Sequence, residues 1–469
     1  MLRMRFLFLV LALLLAPVMD ANAAMTHVSI LHRHGARSEP LFPNMGLRDA
    51  TQLTPNGEIM MLNLGKLLRA TYGTFITSYD PAMYDTFSEY FDNCIQSAHG
   101  VLRAFFNKGS QFLPIVRHVP SETDWLLGFN HNFPNVYARP QWFFAYWNND
   151  ALARGILSTN DIEMLSNEFG SWCAEKPMQC ALFAADALQS RISEKSLPQQ
   201  LQTLFQEKLL PIVYGWNKHT YGFNSEDPYV VIGSPAYTLA AKVLHDAEVG
   251  EKKFCHYSVH DSTILGLLNA LGAIQLGDTN PRWLPRFGSV LAVTTYSNGN
   301  VSFTYAEPQQ EAGSSLDYVS GLLPITVRCK TFEGAEYMAS TCPLNDVWRY
   351  VNRSRPTVAD PFCYLRPEDG CDVLETVPSE HCQYYRKYCP IGACGPNAGL
   401  DASRNYTCFS FFRRRFTKDY TLASIVAGVC GGAVGLIVGF LISLLLQKTE
   451  EKEVRRRRFV QMGTGETNA

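Results

Sequence analysis

Two short apolar runs in this chain stop abruptly at polar clusters, and each cluster is followed by a segment with helical periodicity. Residues 28–31 alternate apolar and polar positions before a charged stretch, which predicts a strand that ends there. Residues 254–259 predict a second, buried strand that leads into His260-Asp261, and residues 262–271 predict a helix with one apolar face. A strand, a polar turn and a packing helix in that order indicate an α/β fold.

A helix is also predicted to follow the first polar cluster. Thr54 can cap this helix, and Pro55 suits its first turn. Its predicted apolar stripe consists of Ile59, Leu62 and Leu67. Further predicted elements are helices at residues 95–106, 201–216 and 235–245, and a hairpin that pairs residues 290–295 with 301–305 through an Asn-Gly turn.

The first polar cluster carries groups that suit the binding of an oxyanion. Arg33, His34 and Arg37 lie beyond the carboxyl end of the first predicted strand, which is where open α/β sheets bind ligands. Gly35 allows a close backbone approach between them. Each arginine offers a forked set of donors that matches phosphate oxygens, and a neutral imidazole is a good nucleophile near its own pKa. The cluster therefore indicates a site for a phosphoryl group.

Composition mainly narrows the classes of partner. The chain has 469 residues, which is ample for a large core. Its formal net charge of -2 at pH 7 argues against a general attraction to nucleic acid, so no nucleic-acid partner is predicted.

The motif at residues 33–37, R-H-G-A-R, resembles the R-H-G-x-R motif of the histidine acid phosphatases. The His-Asp pair at residues 260–261 resembles the second, distant motif of that family. The resemblance extends from residue 26 to residue 351. It implies a phosphoglycerate-mutase-like three-layer α/β sandwich over residues 25–351, with a helical cap inserted at about residues 114–207.

The same resemblance implies a role for each residue of the site. His34 would be the nucleophile, forming a phosphohistidine, and Asp261 would protonate the leaving group. Arg33, Arg37 and His260 would hold the phosphoryl oxygens of a phosphomonoester substrate. No metal or cofactor is expected, since arginines supply the positive charge. Acidic pH is expected because Asp261 must be protonated to act as a general acid.

The chain departs from the family pattern at the second arginine motif. Phe87 stands where the resemblance places a third phosphate-binding arginine, and Pro40 falls one position later than usual. The loss of one such donor costs a few kcal/mol, which is on the order of a thousandfold in rate. Arg48, Arg69 and Arg103 are the candidates for supplying this charge from elsewhere in the chain.

The cysteines predict disulfides in an exported protein. Thirteen are present, and an even twelve remain when Cys430, which lies in a C-terminal apolar run, is set aside. Cys173 and Cys180 are expected to form a bridge, with a metal site as the weaker alternative. The family resemblance implies a further bridge between Cys329 and Cys342.

The two ends of the chain predict export and membrane anchoring. Residues 1–24 combine basic positions, an apolar run and small residues, as a cleaved signal peptide does; an uncleaved anchor is the alternative. Residues 352–418 form a Cys-rich membrane-proximal segment with few aliphatic residues, so disulfides are expected to hold it together. A zinc site is the alternative. Residues 419–447 predict one transmembrane helix, and residues 448–469 a cytoplasmic tail.

These segments describe a single-pass type I membrane protein whose ectodomain faces the cell exterior or an endosomal or lysosomal lumen. Asn300, Asn352 and Asn405 begin sequons and are candidate glycosylation sites. Glycines spaced four residues apart in the membrane segment would let two helices approach, which predicts a homodimer. Glycines that a membrane helix merely tolerates are the alternative.

The predicted function is that of a membrane-anchored acid phosphatase that hydrolyses phosphomonoesters through a phosphohistidine. The alternative, motivated by Phe87 and Pro40, is a surface or receptor-like protein that keeps the fold without turnover. The sequence R-H-G-A-R-S also resembles the lysophosphatidic-acid phosphatase branch, which makes a phospholipid substrate a further alternative. Phytase and phosphoglycerate-mutase relatives rank lower, given the acid-phosphatase-like tail and the predicted anchor.

Overall fold

The computed structural model describes residues 23–39, 52–109, 111–119, 124, 126–128, 155–221, 233–273, 284–309, 316–357, 398–401 and 407–410. The chain divides into two compact units, Met1–Gly370 and Cys371–Ala469. In the second unit, the described residues form one antiparallel pair of strands, β10 (Ala398–Asp401) and β11 (Thr407–Ser410). The predicted signal peptide, transmembrane helix and tail lie outside the described residues, as does most of the Cys-rich segment. Among the helices that are described, none has the length and apolar character needed to span a bilayer.

A mixed sheet forms the centre of the first unit. Its described strands follow the order β2-β3-β1-β4-β5-β6, with β9 pairing to β5. Strands β2, β3 and β1 are parallel to one another, whereas β4 and β5 run antiparallel and form the predicted hairpin. The strands of this sheet are β1 (Met25–Arg33), β2 (Tyr84–Ser88), β3 (Phe254–Val259), β4 (Val290–Tyr296), β5 (Asn300–Ala306), β6 (Leu323–Pro324) and β9 (Thr341–Pro343), and a separate pair is β7 (Val327–Lys330) with β8 (Glu336–Ala339).

Helices cover both faces of the sheet, which gives three layers. The helices are α1 (Pro55–Tyr72), α2 (Asp92–Phe105), α3 (Thr159–Phe169), α4 (Trp172–Glu175), α5 (Pro177–Glu194), α6 (Gln199–Leu204), α7 (Leu210–Tyr221), α8 (Tyr237–Val249), α9 (Asp261–Ala270) and α10 (Leu344–Val351). Helices α1 and α2 pack with Ile30 and Phe254 on one face. Helices α8, α9 and α10 pack with Leu31 and Tyr257 on the other, because successive side chains of a strand point to opposite faces.

The two predicted strand–turn–helix units lie side by side. Arg33 of β1 is in register with Val259 of β3, and the His34 amide donates to the Val259 carbonyl at 3.0 Å. His34 and His260 therefore leave the same edge of the sheet on adjacent strands. The prediction that both strands end at the candidate chemistry is confirmed, although β1 is longer than the four residues predicted for it.

Helix α1 has the predicted start, but it buries a different face. Thr54 accepts the Gly57 amide at 3.1 Å as an N-cap, with Pro55 in the first turn. Ile59 and Leu62 of the predicted stripe are 46% and 37% exposed, so that prediction was wrong. The buried face is lined by Gly57, Met60, Met61, Leu64, Gly65 and Leu68. Two glycines on this face let the helix approach its neighbours closely, and Leu64 and Leu68 are the leucines that it buries.

Helices α3 to α7 pack around a third hydrophobic cluster, which also includes Leu265 of α9 and Leu284. Helices α3 to α6 lie within the region predicted as a cap, and α7 begins just beyond it. The segment predicted as one helix at residues 201–216 is α6, a π-helical turn at Phe205–Leu209, and α7. The aromatic-rich residues 129–154 lie outside the described residues.

The cysteines of the first unit follow the disulfide prediction only in part. Cys173 bridges Cys180 and Cys329 bridges Cys342, so both expected pairs are confirmed. Cys94 and Cys255 are buried free thiols, which corrects the expectation that an even count implies full pairing. Their sulfurs lie against polar side chains instead, at 3.8 Å from His260 Nδ1 and 3.6 Å from Asp246 Oδ2, respectively.

Candidate active site

The candidate active site lies where three parallel strands end together. Strands β2, β3 and β1 are neighbours in the sheet, and the next residues along the chain are Glu89, His260 and His34. The rings of His34 and His260 meet edge to face, with centroids 4.8 Å apart. An ion pair of 3.3 Å joins Arg33 Nη2 to Asp261 Oδ2. The structure thus brings together motifs that are more than 200 residues apart in the sequence.

His34 is a neutral imidazole, and one of its two ring nitrogens carries no proton. Its Nδ1 lies 2.8 Å from the Gly35 carbonyl oxygen, which can only accept, so the proton is on Nδ1. Burial, together with the positive charges of His260, Arg33 and Arg37, lowers the pKa of His34 well below its ordinary value. Nε2 therefore carries a lone pair, and within the described part of the chain it has no hydrogen-bond partner.

The turn that carries His34 rests directly on the first turn of α1. A Cβ on Gly35 would lie 2.5 Å from the Gly57 carbonyl oxygen, and one on Gly57 would lie 2.0 Å from the Ala36 carbonyl oxygen. The Gly35 amide also donates to Ser97 Oγ on α2 at 3.0 Å. Gly35 is needed here for the close backbone approach that its position suggested.

Arg33 is almost completely buried and holds a defined position. Nη1 donates to Gln189 Oε1 at 2.7 Å and to the Pro285 carbonyl at 2.8 Å. Its guanidinium lies over the ring of Phe287, 4.2 Å from the centroid. Through Gln189, helix α5 therefore contacts the first arginine of the R-H-G-A-R motif.

Arg37 is also tied to α5. Its Nη2 forms an ion pair of 2.6 Å with Asp186 Oδ2, and its Nη1 donates to the Ser38 carbonyl at 3.1 Å. Asp186 and Gln189 are one turn apart on the helix, so a single face of α5 holds both arginines. The sequence contained no signal for these two partners.

His260 differs from His34 in its electrostatic environment. Glu89 Oε2 lies 2.6 Å from Nδ1 of His260, and the Cys94 sulfur lies 3.8 Å from the same nitrogen. Burial opposes the charged form, but the neighbouring Cys94 and Glu89 raise the pKa of His260 well above its ordinary value. His260 is therefore a cation beside the neutral His34. Sequence analysis missed Glu89, although it follows the strand that carries Phe87.

Phe87 packs into the core. Its ring stacks on Tyr257, with centroids 5.5 Å apart, in the cluster formed by α8, α9 and α10. Two of the arginines considered as substitutes lie elsewhere. Arg69 donates to the Phe105 carbonyl at the far end of α2, and Arg103 lies nine residues beyond Cys94, about 14 Å along that helix. Arg48 lies outside the described residues.

No protein-family model and no curated protein sequence matches this chain. Among solved structures, the phytase from Citrobacter braakii is similar, with a TM-score of 0.52 and 13% sequence identity over 73% of this chain and 100% of the phytase. The phytase from Klebsiella sp. ASR1 is similar with a TM-score of 0.50 and 11% identity, over 74% of this chain and 98% of the phytase. Phytases of this kind are members of the histidine acid phosphatase family.

This likeness confirms the predicted fold class for the α/β part of the chain. Both of these similar structures are phytases, which the sequence had ranked below acid phosphatases. At such low identities they establish a shared fold, and a shared fold does not define a substrate.

Proposed function

We propose that this protein hydrolyses phosphomonoesters through a phosphohistidine intermediate on His34. One observation carries the proposal: a neutral imidazole with an unoccupied Nε2 lies among Arg33, Arg37 and the cationic His260. Such a group is a nucleophile, and the surrounding cations stabilise the negative charge of a transferring phosphoryl group.

In the first step, Nε2 of His34 attacks phosphorus and forms a phosphorus–nitrogen bond as the bond to the ester oxygen breaks. Asp261 in its protonated form donates its proton to the leaving oxygen. Its side chain is 26% exposed, whereas that of its ion-pair partner Arg33 is 2% exposed. Asp261 is therefore open to a leaving group from the solvent side. The alcohol then departs, leaving Asp261 as a carboxylate.

In the second step, water attacks the phosphorus of the phosphohistidine. Asp261 accepts a proton from this water, the phosphorus–nitrogen bond breaks, and inorganic phosphate leaves with His34 restored.

The proposal includes the membrane anchor and location predicted from the sequence. The protein would be a type I membrane protein, with its phosphatase unit outside the cell or in an endosomal or lysosomal lumen. An acidic lumen would favour the protonated Asp261 that the first step needs. The natural substrate would be a phosphomonoester, with a lysophosphatidic-acid-type phospholipid and an inositol phosphate as specific forms to compare.

The test compares the full-length protein with a His34→Ala variant. The purified proteins, in detergent, are assayed with p-nitrophenyl phosphate at acidic pH, and labelled phosphoenzyme is trapped by rapid quenching into alkali, in which phosphohistidine survives. We expect turnover and label in the wild type only. Equal background rates and no label in either protein would overturn the proposal.

The position of Glu89 favours a second candidate, a protein that keeps the fold with little or no turnover. Were His260 neutral, the buried carboxylate beside it would add uncompensated negative charge near the site of an anionic substrate. The same assay separates the two candidates. The second candidate predicts that no phosphomonoester is hydrolysed, whether or not inorganic phosphate binds.

A further inference from the structure

Strand β2 ends in a buried carboxylate at the edge where the family resemblance predicts a guanidinium. Glu89 is 1% exposed and is the first residue after β2. Its amide donates to the Ser258 carbonyl of β3 at 3.1 Å, so it continues the pairing of the two strands. This edge therefore carries a carboxylate at residue 89 and no arginine at residue 87, which must alter how it holds an anion.

The Glu89 carboxylate binds the start of α9 through three contacts. Oε2 lies 2.6 Å from Nδ1 of His260. Oε1 accepts the His260 amide at 3.1 Å and the Thr263 hydroxyl at 2.8 Å. All three donors belong to the first turn of the helix or its N-cap, where the helix dipole also favours a negative charge.

These contacts fix the state of the His260 ring. A carboxylate can only accept, so Nδ1 of His260 carries a proton. In the imidazolium form the second nitrogen, Nε2, is protonated as well, so the ring carries a full positive charge. The pair of Glu89 and His260 has no net charge, which removes the repulsion that a lone buried carboxylate would exert on a phosphoryl group.

We propose that Glu89 is a positioning residue that keeps His260 as a lasting cation, so that an imidazolium takes the place of the missing third arginine. The inference rests on the proposed function, because it assigns His260 to the phosphoryl oxygens. It also explains how Phe87 can pack into the core without leaving the site one cation short.

The other charged and titratable groups around this pair act in both directions. Cys94 approaches from α2 and, like Glu89, raises the pKa of His260, while burial lowers it. His34 faces His260 from the end of β1 as a neutral ring, and Asp261 beside it is paired with Arg33. Behind Glu89 lies Asp124, whose pKa burial raises to about 6 and whose Oδ1 accepts the Leu127 amide at 2.9 Å.

Glu89→Gln is the informative substitution. A glutamine keeps an oxygen for the His260 amide and the Thr263 hydroxyl, but its amide group donates to Nδ1 and so favours neutral His260. Thr263→Val is the matched control. It removes the hydroxyl whose one proton is shared between Glu89 and the Leu127 carbonyl, and it leaves the carboxylate and its charge in place.

The affinity of the full-length protein for inorganic phosphate is measured from about pH 5 to about pH 8, the range in which an unperturbed imidazole titrates. We expect Glu89→Gln to lose affinity about tenfold or more, relative to the wild type, as the pH rises through this range. Thr263→Val should keep the wild-type pH dependence, even if its affinity is lower at every pH. Parallel curves for the wild type and Glu89→Gln would overturn the inference.

A second measurement separates failure of this inference from failure of the proposed function. The His260 imidazole is titrated by NMR of histidine-labelled protein, with its signal assigned by its loss in His260→Asn. A signal that stays protonated to alkaline pH in the wild type, and titrates at lower pH in Glu89→Gln, supports the role of Glu89 even if phosphate does not bind. Identical titrations in both proteins exclude that role, whatever the enzyme activity.

Discussion

At the scale of single residues, two imidazoles in contact carry different charges. His34 is neutral because its burial and the surrounding cations outweigh the hydrogen bond that Nδ1–H donates to a carbonyl. His260 is charged because Cys94 and Glu89 outweigh its burial. Neighbouring groups whose pKa values are driven apart often have divided roles in catalysis, which agrees with the proposal of a nucleophile and an anion holder.

A prediction at this scale concerns Asp261→Asn, which keeps an oxygen near Arg33 and removes the transferable proton. A poor leaving group needs that proton and a good one does not. We expect turnover of β-glycerophosphate to fall by about a hundredfold or more, and turnover of p-nitrophenyl phosphate to fall much less. Steady-state kinetics of both substrates provide the measurement. An equal loss on both substrates would show that Asp261 is not the proton donor.

At the scale of elements, the site depends on how closely α1 approaches the turn that carries His34 and Gly35. Gly35 and Gly57 pack backbone against backbone, and Gly65 does the same against Val101 of α2. The resulting face of α1 combines glycine and methionine with Leu64 and Leu68, whereas the predicted stripe included the exposed Ile59 and Leu62. Helix α5 then adds Asp186 and Gln189, which hold the two arginines from the other side.

The corresponding prediction is that Gly57→Ala destabilises the protein, although alanine is the better helix former by about 1 kcal/mol. The new methyl group would meet the Ala36 carbonyl at 2.0 Å, and backbone atoms cannot rotate away. We expect a net loss of about 1–3 kcal/mol and a lower thermal midpoint.

Gly109→Ala serves as the control for that experiment, because an added Cβ there meets nothing within 4 Å. Its effect should stay within about 0.5 kcal/mol. If the two variants unfold at the same temperature, the close packing of Gly57 against the Ala36 carbonyl does not stabilise the fold.

At the scale of the whole molecule, the core beneath the site contains histidines that are costly to charge. His32 of β1 and His256 of β3 are fully buried and stack with centroids 4.8 Å apart. Burial lowers the pKa of His32 to about 4, and burial together with His32 lowers the pKa of His256 well below its ordinary value. Neither ring nitrogen of His256 has a hydrogen-bond partner among the described residues, so the ring behaves as an apolar group.

These histidines predict that the protein loses stability in acid. Below the ordinary pKa of about 6.5, the unfolded chain binds a proton at His32 that the folded chain does not bind until the pH is about 4. The free energy of unfolding therefore falls across that window, by about 3 kcal/mol for His32 alone, and this contribution is constant below it. Thermal midpoints measured at several pH values would show the decline.

The control for this prediction is His256→Phe, which keeps a stacked ring and removes one buried titratable group. Its stability should depend less steeply on pH between about 6.5 and 4, with the largest gain at the acidic end. A curve as steep as that of the wild type would assign the acid sensitivity to other groups. The His260–Glu89 pair has the opposite sign: its stabilisation is lost as the pH rises through the raised pKa of His260.

The sequence by itself determined the features that depend on local pattern. Strand β3 has the predicted bounds, the hairpin of β4 and β5 forms, and both motifs stand directly after parallel strands, because periodicity and turn residues act over a few positions. The signal peptide, the Cys-rich segment and the membrane anchor remain predictions of the same local kind.

Only the tertiary structure decided which distant groups meet at the site. The pairing of Arg37 with Asp186 spans 149 positions, and that of His260 with Glu89 spans 171. No spacing rule relates residues so far apart, because their contact follows from strand order and helix placement. The charge of His260 depends on Glu89 and Cys94, the neutral state of His34 on burial among cations, and the position of Phe87 on its stacking against Tyr257. These properties could be known only once the chain was folded.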